Sequence, residues 1–257
     1  MDPRPQYPRE QTDDGEFRRQ ESRFRRWCGP EDDCDYDPAP GRYHLYVSYA
    51  CPWAHRTLIF RKLKRLENVI SMTVVDPIRD ERGWAFRDGP GHSSDAVNGF
   101  QFLSEAYLKT DPAYAERVTV PVLWDKQDGR IVNNESSEII RMLNSAFDEW
   151  VPGTPDFYPR DLREEIDAVN ETVYANVNNG VYRAGFATRQ DPYDRAIERL
   201  FGTLDDIEAR LADRRYLVGD RLTEADWRLF TTLVRFDAVY VGHFKCNLRR
   251  IADYPNL

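Results

Sequence analysis

The first half of the chain alternates short apolar runs, typical of strands, with a longer pattern typical of a helix. Residues 42–48 alternate apolar and polar side chains, and residues 52–66 carry apolar side chains at helical spacing. Residues 69–75, VISMTVV, are almost entirely apolar or β-branched, as in a buried strand. This strand–helix–strand order predicts a parallel pair of strands joined by a right-handed crossover.

A second group of apolar runs follows a long connection that contains four glycines. It predicts a strand, a turn, a returning strand and a helix, at residues 118–124, 128–129, 130–133 and 135–143. Pro121 is unfavourable inside a central strand, and a cis Val120–Pro121 bond at the start of the strand would resolve this conflict. The backbone N–H and C=O of Val120 would then be available to pair with an extended ligand.

The second half of the chain has a helical pattern after a stretch rich in proline and glycine. Three segments carry apolar side chains at helical spacing, namely residues 162–174, 193–211 and 227–236. Thr223-Glu-Ala-Asp226 resembles a capping box, and Asn178-Asn179-Gly180 should break or kink a helix. These patterns predict an extended N-terminal arm, an α/β domain, a linker and an all-α domain, at residues 1–40, 41–147, 148–160 and 161–257.

Composition excludes several classes of function. The 36 basic and 44 acidic residues give a net charge of −8, which disfavours nucleic acid as a partner. No apolar run approaches the roughly 18 residues of a membrane span, and the N-terminus has no signal-peptide core. The four scattered cysteines form neither a disulfide framework nor a zinc pattern, so we expect a cytoplasmic protein with reduced thiols and no metal site.

Cys51 lies where the strand pattern ends and the helical pattern begins, and Pro52 follows it directly. Proline is favoured in the first turn of a helix, so we expect Cys51 at or just before a helix N-terminus. Free N–H groups and the positive end of the helix dipole favour an anion there, and the thiolate is the nucleophilic form of cysteine. The alternative is a buried structural cysteine, but the Cys-Pro junction favours a reactive thiol.

The predicted helix at residues 135–143 begins with Glu135, Ser136 and Ser137. A helix N-terminus with hydroxyl groups suits a bound carboxylate, and Glu135 suits an ammonium group. Plain helix capping explains the same residues almost as well.

Three aromatic residues are candidates for a ligand site. Trp84 lies in the long connection, as a lid over Cys51 or as an anchor of its own loop. Tyr174 and Tyr182 flank the Asn-Asn-Gly break, either as core aromatics or as phenols aimed into a site between the domains.

Five segments of the chain resemble the Xi-class glutathione transferases, also called glutathionyl-hydroquinone reductases: residues 42–59, 83–86, 117–126, 131–144 and 178–187. The resemblance implies the glutathione transferase fold, in which a thioredoxin-like α/β N-terminal domain precedes an all-α C-terminal domain. It also implies a homodimer. Members of the family continue past the position of Leu257, and their extension adds a tyrosine to the aromatic-substrate site, so the helical domain is expected to be truncated.

The resemblance also implies a role for each candidate residue. Cys51 would be the catalytic nucleophile, and Tyr174 and Tyr182 would form the hydroquinone site. Glutathione would be held by seven residues. Trp84 would pack on the tripeptide, and Arg117 and Thr119 would contact its glycine end or the neighbouring backbone. Val120 and Pro121 would lie at its cysteinyl backbone, and Glu135 and Ser136 at its γ-glutamyl group.

The implied chemistry is a two-step thiol exchange on a quinone–thiol conjugate. The Cys51 thiolate attacks the sulfur of a glutathionyl-hydroquinone and forms a Cys51–glutathione mixed disulfide, which a second glutathione then reduces. Ala54 occupies the position where a C-x-x-C motif would have its second cysteine, so the resolving thiol must come from solution. A related thiol such as γ-glutamylcysteine would keep the contacts of Glu135 and Ser136.

Two other functions fit the same sequence. A general thioltransferase or dehydroascorbate reductase would use Cys51 and the thiol site without the two tyrosines. A non-catalytic thioredoxin-like interaction module would need none of these residues, and the intact site residues argue against it.

Overall fold

The computed structural model describes residues 10–257, so the first nine residues of the predicted arm lie outside the described residues. The described chain forms two compact units. The α/β unit contains residues 21–156, and the helical unit contains residues 157–257 together with residues 10–20.

The α/β unit is built on a four-stranded sheet. Its strands are β1 (Tyr43–Val47), β2 (Ser71–Val74), β3 (Val122–Asp125) and β4 (Arg130–Asn133), and its helices are α1 (Pro52–Leu63), α2 (Leu103–Thr110) and α3 (Ser136–Ser145). The strand order is β2-β1-β3-β4, with β1 and β2 parallel and the other two pairs antiparallel. The predicted parallel pair of strands and the predicted hairpin are both confirmed.

In the α/β unit, two predicted boundaries were wrong by three residues or more, each for a local reason. β3 begins at Val122 rather than at residue 118, because Pro121 has no N–H to donate to a sheet ladder. α1 ends at Leu63 rather than near residue 66, because Arg65 adopts a left-handed conformation with φ of 54° that a helix cannot continue through. A short 3₁₀ turn then leads into β2.

A buried histidine lies in the sheet. His44 of β1 is 2% exposed, and its two ring nitrogens face the hydroxyls of Ser71 and Thr73 on β2 at 2.8 and 3.0 Å. Burial lowers the pKa of His44 to about 4, and the positive charges of Lys126 and Arg61 act in the same direction against the attraction of Asp95. The imidazole is therefore neutral in the folded protein at neutral pH.

We expect His44 to weaken the fold in acid. In the unfolded chain the His44 imidazole takes up a proton near its ordinary pKa of about 6.5, and in the folded chain it does so only near pH 4. The stability that depends on neutral His44 is therefore fully present above pH 6.5 and is lost as the pH falls from 6.5 to 4. The free energy of unfolding should decrease by about 3 kcal/mol from this group. Urea titrations of wild type and His44→Gln at pH 7 and pH 4.5 should show a smaller decrease for the variant, and equal decreases would contradict the assignment.

The helical unit contains α4 (Arg163–Val173), α5 (Gly180–Gly185), α6 (Gln190–Leu211) and α7 (Glu224–Arg235). Apolar side chains of all four helices pack into one core. The predicted capping box is confirmed, since the carboxylate of Asp226 accepts hydrogen bonds from the backbone N–H and the hydroxyl of Thr223 at 2.8 and 3.1 Å. Within residues 10–257 no helix is both long enough and apolar enough to cross a membrane.

The predicted helix break at the Asn-Asn-Gly sequence is a π-helical turn, Tyr174–Asn178, that joins α4 to α5. The Asn178 side chain is buried, and its amide donates to the backbone oxygen of Arg228 at 3.0 Å and to the hydroxyl of Thr232 at 2.8 Å. A widened turn is typical of functional sites in helices. Here its first residue is Tyr174, and Tyr182 follows in α5, so both tyrosines that were singled out as ligand candidates lie at or near it.

Candidate active site

Cys51 is the N-cap residue of α1, as its sequence position predicts. Its backbone is extended, Pro52 occupies the first turn, and its Sγ accepts a hydrogen bond from the N–H of Ala54 at 3.5 Å. The thiol is partly exposed and lies 3.5 Å from the backbone oxygen of Val120. A sulfur at a helix N-terminus with an N–H aimed at it is placed where negative charge is stabilised.

The Val120–Pro121 bond is cis, which confirms the prediction made from the proline at the start of β3. The segment before it is held by a buried phenol. The hydroxyl of Tyr107 donates to the backbone oxygen of Thr119 at 2.8 Å and accepts from its N–H at 3.2 Å. The hydroxyl of Tyr114 likewise donates to the backbone oxygen of Arg117 at 2.8 Å. Tyr107 in α2 and Tyr114 just after it therefore fix the backbone segment that leads to Val120, next to Cys51.

Glu135 is the N-cap residue of α3, and its carboxylate is held on both oxygens. Oε1 accepts from the N–H and the hydroxyl of Ser137 at 3.1 and 2.8 Å, and Oε2 accepts from the hydroxyl of Ser22 at 3.0 Å. Burial alone would raise the pKa of Glu135, but these hydrogen bonds and the charge of Arg56 outweigh it and lower the pKa. The side chain is a fixed anion at neutral pH.

Arg56 connects the helix that carries Cys51 with the helix that begins after Glu135. It is 1% exposed, its Nη1 donates to the hydroxyl of Ser136 at 3.4 Å, and its guanidinium lies 4.7 Å from the ring centroid of Trp53. Ser136 is itself buried in the first turn of α3. The cation thus holds the N-termini of α1 and α3 in one arrangement.

Two of the residues around Glu135 were missed by the sequence analysis. Arg56 stands inside the CPWAHR segment, where a charged residue on an otherwise apolar helical pattern could have indicated a buried role. Ser22 carries no signal of its own in the arginine- and glutamate-rich stretch around it.

The structure places Trp84 in its loop as a buried residue. Its exposed fraction is 9%, the guanidinium of Arg79 lies 4.7 Å from its ring centroid, and its backbone oxygen accepts from Leu103 N–H at 2.9 Å. These contacts fit the anchor interpretation and leave its role toward a ligand as a prediction.

Tyr174 and Tyr182 both belong to the helical unit, Tyr174 as the first residue of the π-helical turn and Tyr182 in α5. Tyr174 is 39% exposed. Tyr182 is half-buried among aromatic side chains and a guanidinium. Their assignment to the hydroquinone site also stays a prediction.

Two sequence families match the chain. The one described as the glutathione S-transferase N-terminal domain matches residues 50–146, and the one described as the C-terminal domain matches residues 190–257. Glutathionyl-hydroquinone reductase PcpF of Sphingobium chlorophenolicum is 56% identical over 243 residues, which cover 95% of this chain and 76% of PcpF. The chain belongs to the Xi-class glutathione transferases.

Solved structures of Xi-class glutathione transferases share the fold of this one. The crystal structure of the Xi enzyme from Phanerochaete chrysosporium is similar with a TM-score of 0.90 and 55% identity, over 93% of this chain and 82% of that chain. The glutathione-bound structure of YqjG from Escherichia coli K-12 is similar with a TM-score of 0.87 and 53% identity, over 91% of this chain and 78% of that chain. The predicted fold, α/β thioredoxin-like then all-α, is confirmed.

In this Xi-class chain the other three cysteines are poorly suited to catalysis. Burial raises the pKa of Cys28 to about 12 and that of Cys246 to about 12. The pKa of Cys34 is raised by burial and by the adjacent Glu31 carboxylate. All three thiols are therefore protonated at neutral pH, whereas Cys51 stands at a helix N-terminus. Among the described residues, no group of three or more His, Cys, Asp or Glu side chains is arranged to hold a metal ion.

Proposed function

We propose that this chain reduces glutathionyl-hydroquinones to hydroquinones and uses glutathione as the reductant. The observation that carries the proposal is Cys51 at the N-cap of α1, next to the backbone oxygen of Val120, in a chain with this degree of identity to glutathionyl-hydroquinone reductases. A thiolate at that position is a nucleophile. We further propose that the enzyme acts in the cytoplasm as a homodimer.

The reaction proceeds by two exchanges at sulfur. In the first, the Cys51 thiolate attacks the glutathionyl sulfur, the S–S bond forms and the S–C bond breaks. The aromatic carbon leaves with the electron pair and takes up a proton, so the ring carbon is reduced by two electrons and the two sulfurs are oxidised to a disulfide. In the second, a glutathione thiolate attacks the mixed disulfide, which releases oxidised glutathione and the Cys51 thiolate.

The thiol site proposed for glutathione surrounds Cys51. Glu135 pairs with the γ-glutamyl ammonium, Ser136 and the N-terminus of α3 receive its carboxylate, and Val120 pairs with the cysteinyl backbone. Trp84, Arg117, Thr119 and Pro121 complete the site. Tyr174 and Tyr182 contact the aromatic ring of the substrate. The fixed, anionic Glu135 supports this assignment, since a bound ammonium needs a charged partner at neutral pH.

Steady-state reduction of glutathionyl-menadiol by excess glutathione tests the proposal, with reduction of 2-hydroxyethyl disulfide measured alongside. Turnover of glutathionyl-menadiol would support the proposed reduction of the C–S bond. Turnover of the disulfide alone favours the general thioltransferase, and no turnover of either favours the non-catalytic interaction module.

The host thiol is tested in the same assay. γ-Glutamylcysteine offers Glu135 and Ser136 the same γ-glutamyl group but lacks the glycine that Arg117 and Thr119 would contact. Comparable kcat/KM values for the two thiols would support a broader thiol specificity, and a strong preference for glutathione would exclude γ-glutamylcysteine as the host thiol.

A further inference from the structure

Residues 10–20 are fixed to the helical unit around α5. The side-chain amide of Gln11 donates to the backbone oxygen of Phe186 at 2.9 Å, and the N–H of Thr188 donates to the backbone oxygen of Gly15 at 3.0 Å. Gly15 has φ of +84°, and a Cβ there would lie 2.6 Å from the Thr188 hydroxyl. The ring of Phe17 packs 5.1 Å from that of Phe186. The close approach of the two backbones therefore requires glycine at this position.

Arg19, at the end of this segment, lies over Tyr182. Its guanidinium carbon is 4.5 Å from the ring centroid of Tyr182 and 5.5 Å from that of Phe17. Its Nε donates to the side-chain oxygen of Asn179 at 2.8 Å. Asn179 belongs to the same Asn-Asn-Gly sequence that follows the π-helical turn. The guanidinium is thus held in place by a stack on one side and a hydrogen bond to the turn.

Other aromatic rings also pack around Tyr182. Within residues 10–257 these include the rings of Phe186, Tyr240 and Phe244, at centroid distances of 6.0, 6.1 and 5.4 Å. The neighbouring Arg183 is paired with Glu16, and the ring of His243 packs against that of Phe244. Arg19 therefore places a positive charge directly against a phenol in a partly dehydrated setting, where cation–π attraction is strongest.

We propose that Arg19 is a positioning residue for Tyr182, which it holds in one orientation and whose phenolate its charge stabilises. The inference rests on the proposed function, in which Tyr182 contacts the aromatic ring of the substrate. When the S–C bond breaks, the aromatic carbon must receive a proton. The hydroxyl of Tyr182 donates it, and the resulting phenolate, stabilised by Arg19, regains a proton from solvent. Arg19 itself contacts neither sulfur nor substrate carbon.

The variants that test this inference are Arg19→Gln and Arg19→Lys, with Arg195→Gln as the matched control. Arg195 also pairs with this segment, since its guanidinium lies 3.5 Å from the carboxylate of Asp14, but it is half exposed. We expect Arg19→Gln to lower kcat for glutathionyl-menadiol about tenfold, and Arg19→Lys to lower it less, since lysine keeps the charge but not the planar stack. Reduction of 2-hydroxyethyl disulfide should change less than about twofold, because it needs no carbon protonation.

A second measurement tests the effect of Arg19 on the ionisation of Tyr182 and needs no catalytic turnover. In protein labelled with ¹³Cζ-tyrosine, the Tyr182 resonance is assigned from its absence in Tyr182→Phe, and its ionisation is followed by NMR. Arg19→Gln should move that ionisation upward by about one pH unit, and Arg195→Gln should leave it in place. If wild type shows no C–S reduction, the proposed function fails and the titration alone decides the inference. An unchanged titration, or equal losses of both activities in Arg19→Gln, would overturn it.

Discussion

Cys51→Ala is expected to reduce glutathionyl-menadiol turnover at least about a thousandfold, to the background rate. The reason is that Cys51 supplies the sulfur that forms the mixed disulfide, and the described structure offers no substitute. Cys28 and Cys246 are buried, and the pKa of each of the three remaining thiols is raised. Steady-state assays at pH 7.5 measure the loss, and intact-mass spectra after incubation with substrate should show one glutathionyl adduct on wild type only.

Cys51→Ser is the closest structural control for this experiment. A serine hydroxyl can still accept the hydrogen bond from the Ala54 N–H and can still cap α1, but it cannot form a disulfide. We therefore expect Cys51→Ser to be as inactive as Cys51→Ala yet as stable as wild type. Cys34→Ala should keep full activity. If Cys51→Ser retained turnover or the glutathionyl adduct, another cysteine would have to be the nucleophile.

The position of Cys51 could be predicted because its signals are local. An alternating strand, a Cys-Pro dipeptide and a helical apolar pattern stand next to one another, and each fixes the backbone over a few residues. The same holds for the capping box at Thr223, whose partner is three residues away. The cis bond at Pro121 could be predicted from one conflict, between proline and a central strand.

The surroundings of Glu135 could not be predicted because they depend on long-range contacts. Ser22 and Glu135 are 113 positions apart, and no pattern near Ser22 indicates which carboxylate it meets. Backbone groups of the segment around Ser22 also attach it to the rest of the α/β unit. The N–H of Phe24 donates to the Asn134 side chain at 3.0 Å, and the N–H of Arg26 donates to the backbone oxygen of Val132 at 3.2 Å. Backbone pairing of this kind covers the edge strand β4 and is nearly independent of side-chain type.

The Asn-Asn-Gly sequence shows how a local signal can be overridden by tertiary contacts. Asparagine predicts a break in the helix because its side chain competes with the helical hydrogen bonds, and glycine does so because its backbone loses more conformational entropy in a helix. In the structure Asn178 instead bonds to α7, at Arg228 and Thr232, and the chain stays helical with one widened turn. The predicted irregularity is therefore present, and it takes the form of a π-helical turn.

Glu135→Gln is expected to raise the KM for glutathione about thirtyfold and to change kcat little. A hydrogen bond to a charged group contributes about 1.5–3 kcal/mol, and tenfold in affinity corresponds to about 1.4 kcal/mol. Glutamine keeps the side-chain oxygen that caps α3 through Ser137 but removes the charge that would pair with the γ-glutamyl ammonium. Initial rates at saturating hydroquinone conjugate and varied glutathione measure the change.

Two further variants separate ligand binding from helix capping. Ser22→Ala keeps the Glu135 charge but removes one of its hydrogen bonds, so we expect KM to rise only about threefold. Glu138→Gln removes a carboxylate one turn away that pairs with Arg25, and it should leave KM unchanged. If Glu135 only caps α3, Glu135→Gln and Glu138→Gln will have the same KM, and the ammonium contact will have to be assigned elsewhere.

The pH dependence of KM tests the same contact in a second way. The pKa of Glu135 is lowered, because hydrogen bonds from Ser137 and Ser22 and the charge of Arg56 outweigh the effect of burial. The carboxylate should therefore stay ionised as pH falls from 8 to about 5, and its contribution should be lost only when the pH passes through this lowered pKa. A KM that rose steeply between pH 7 and pH 5 in wild type, and equally in Glu135→Gln, would identify a different group as the one that binds the ammonium.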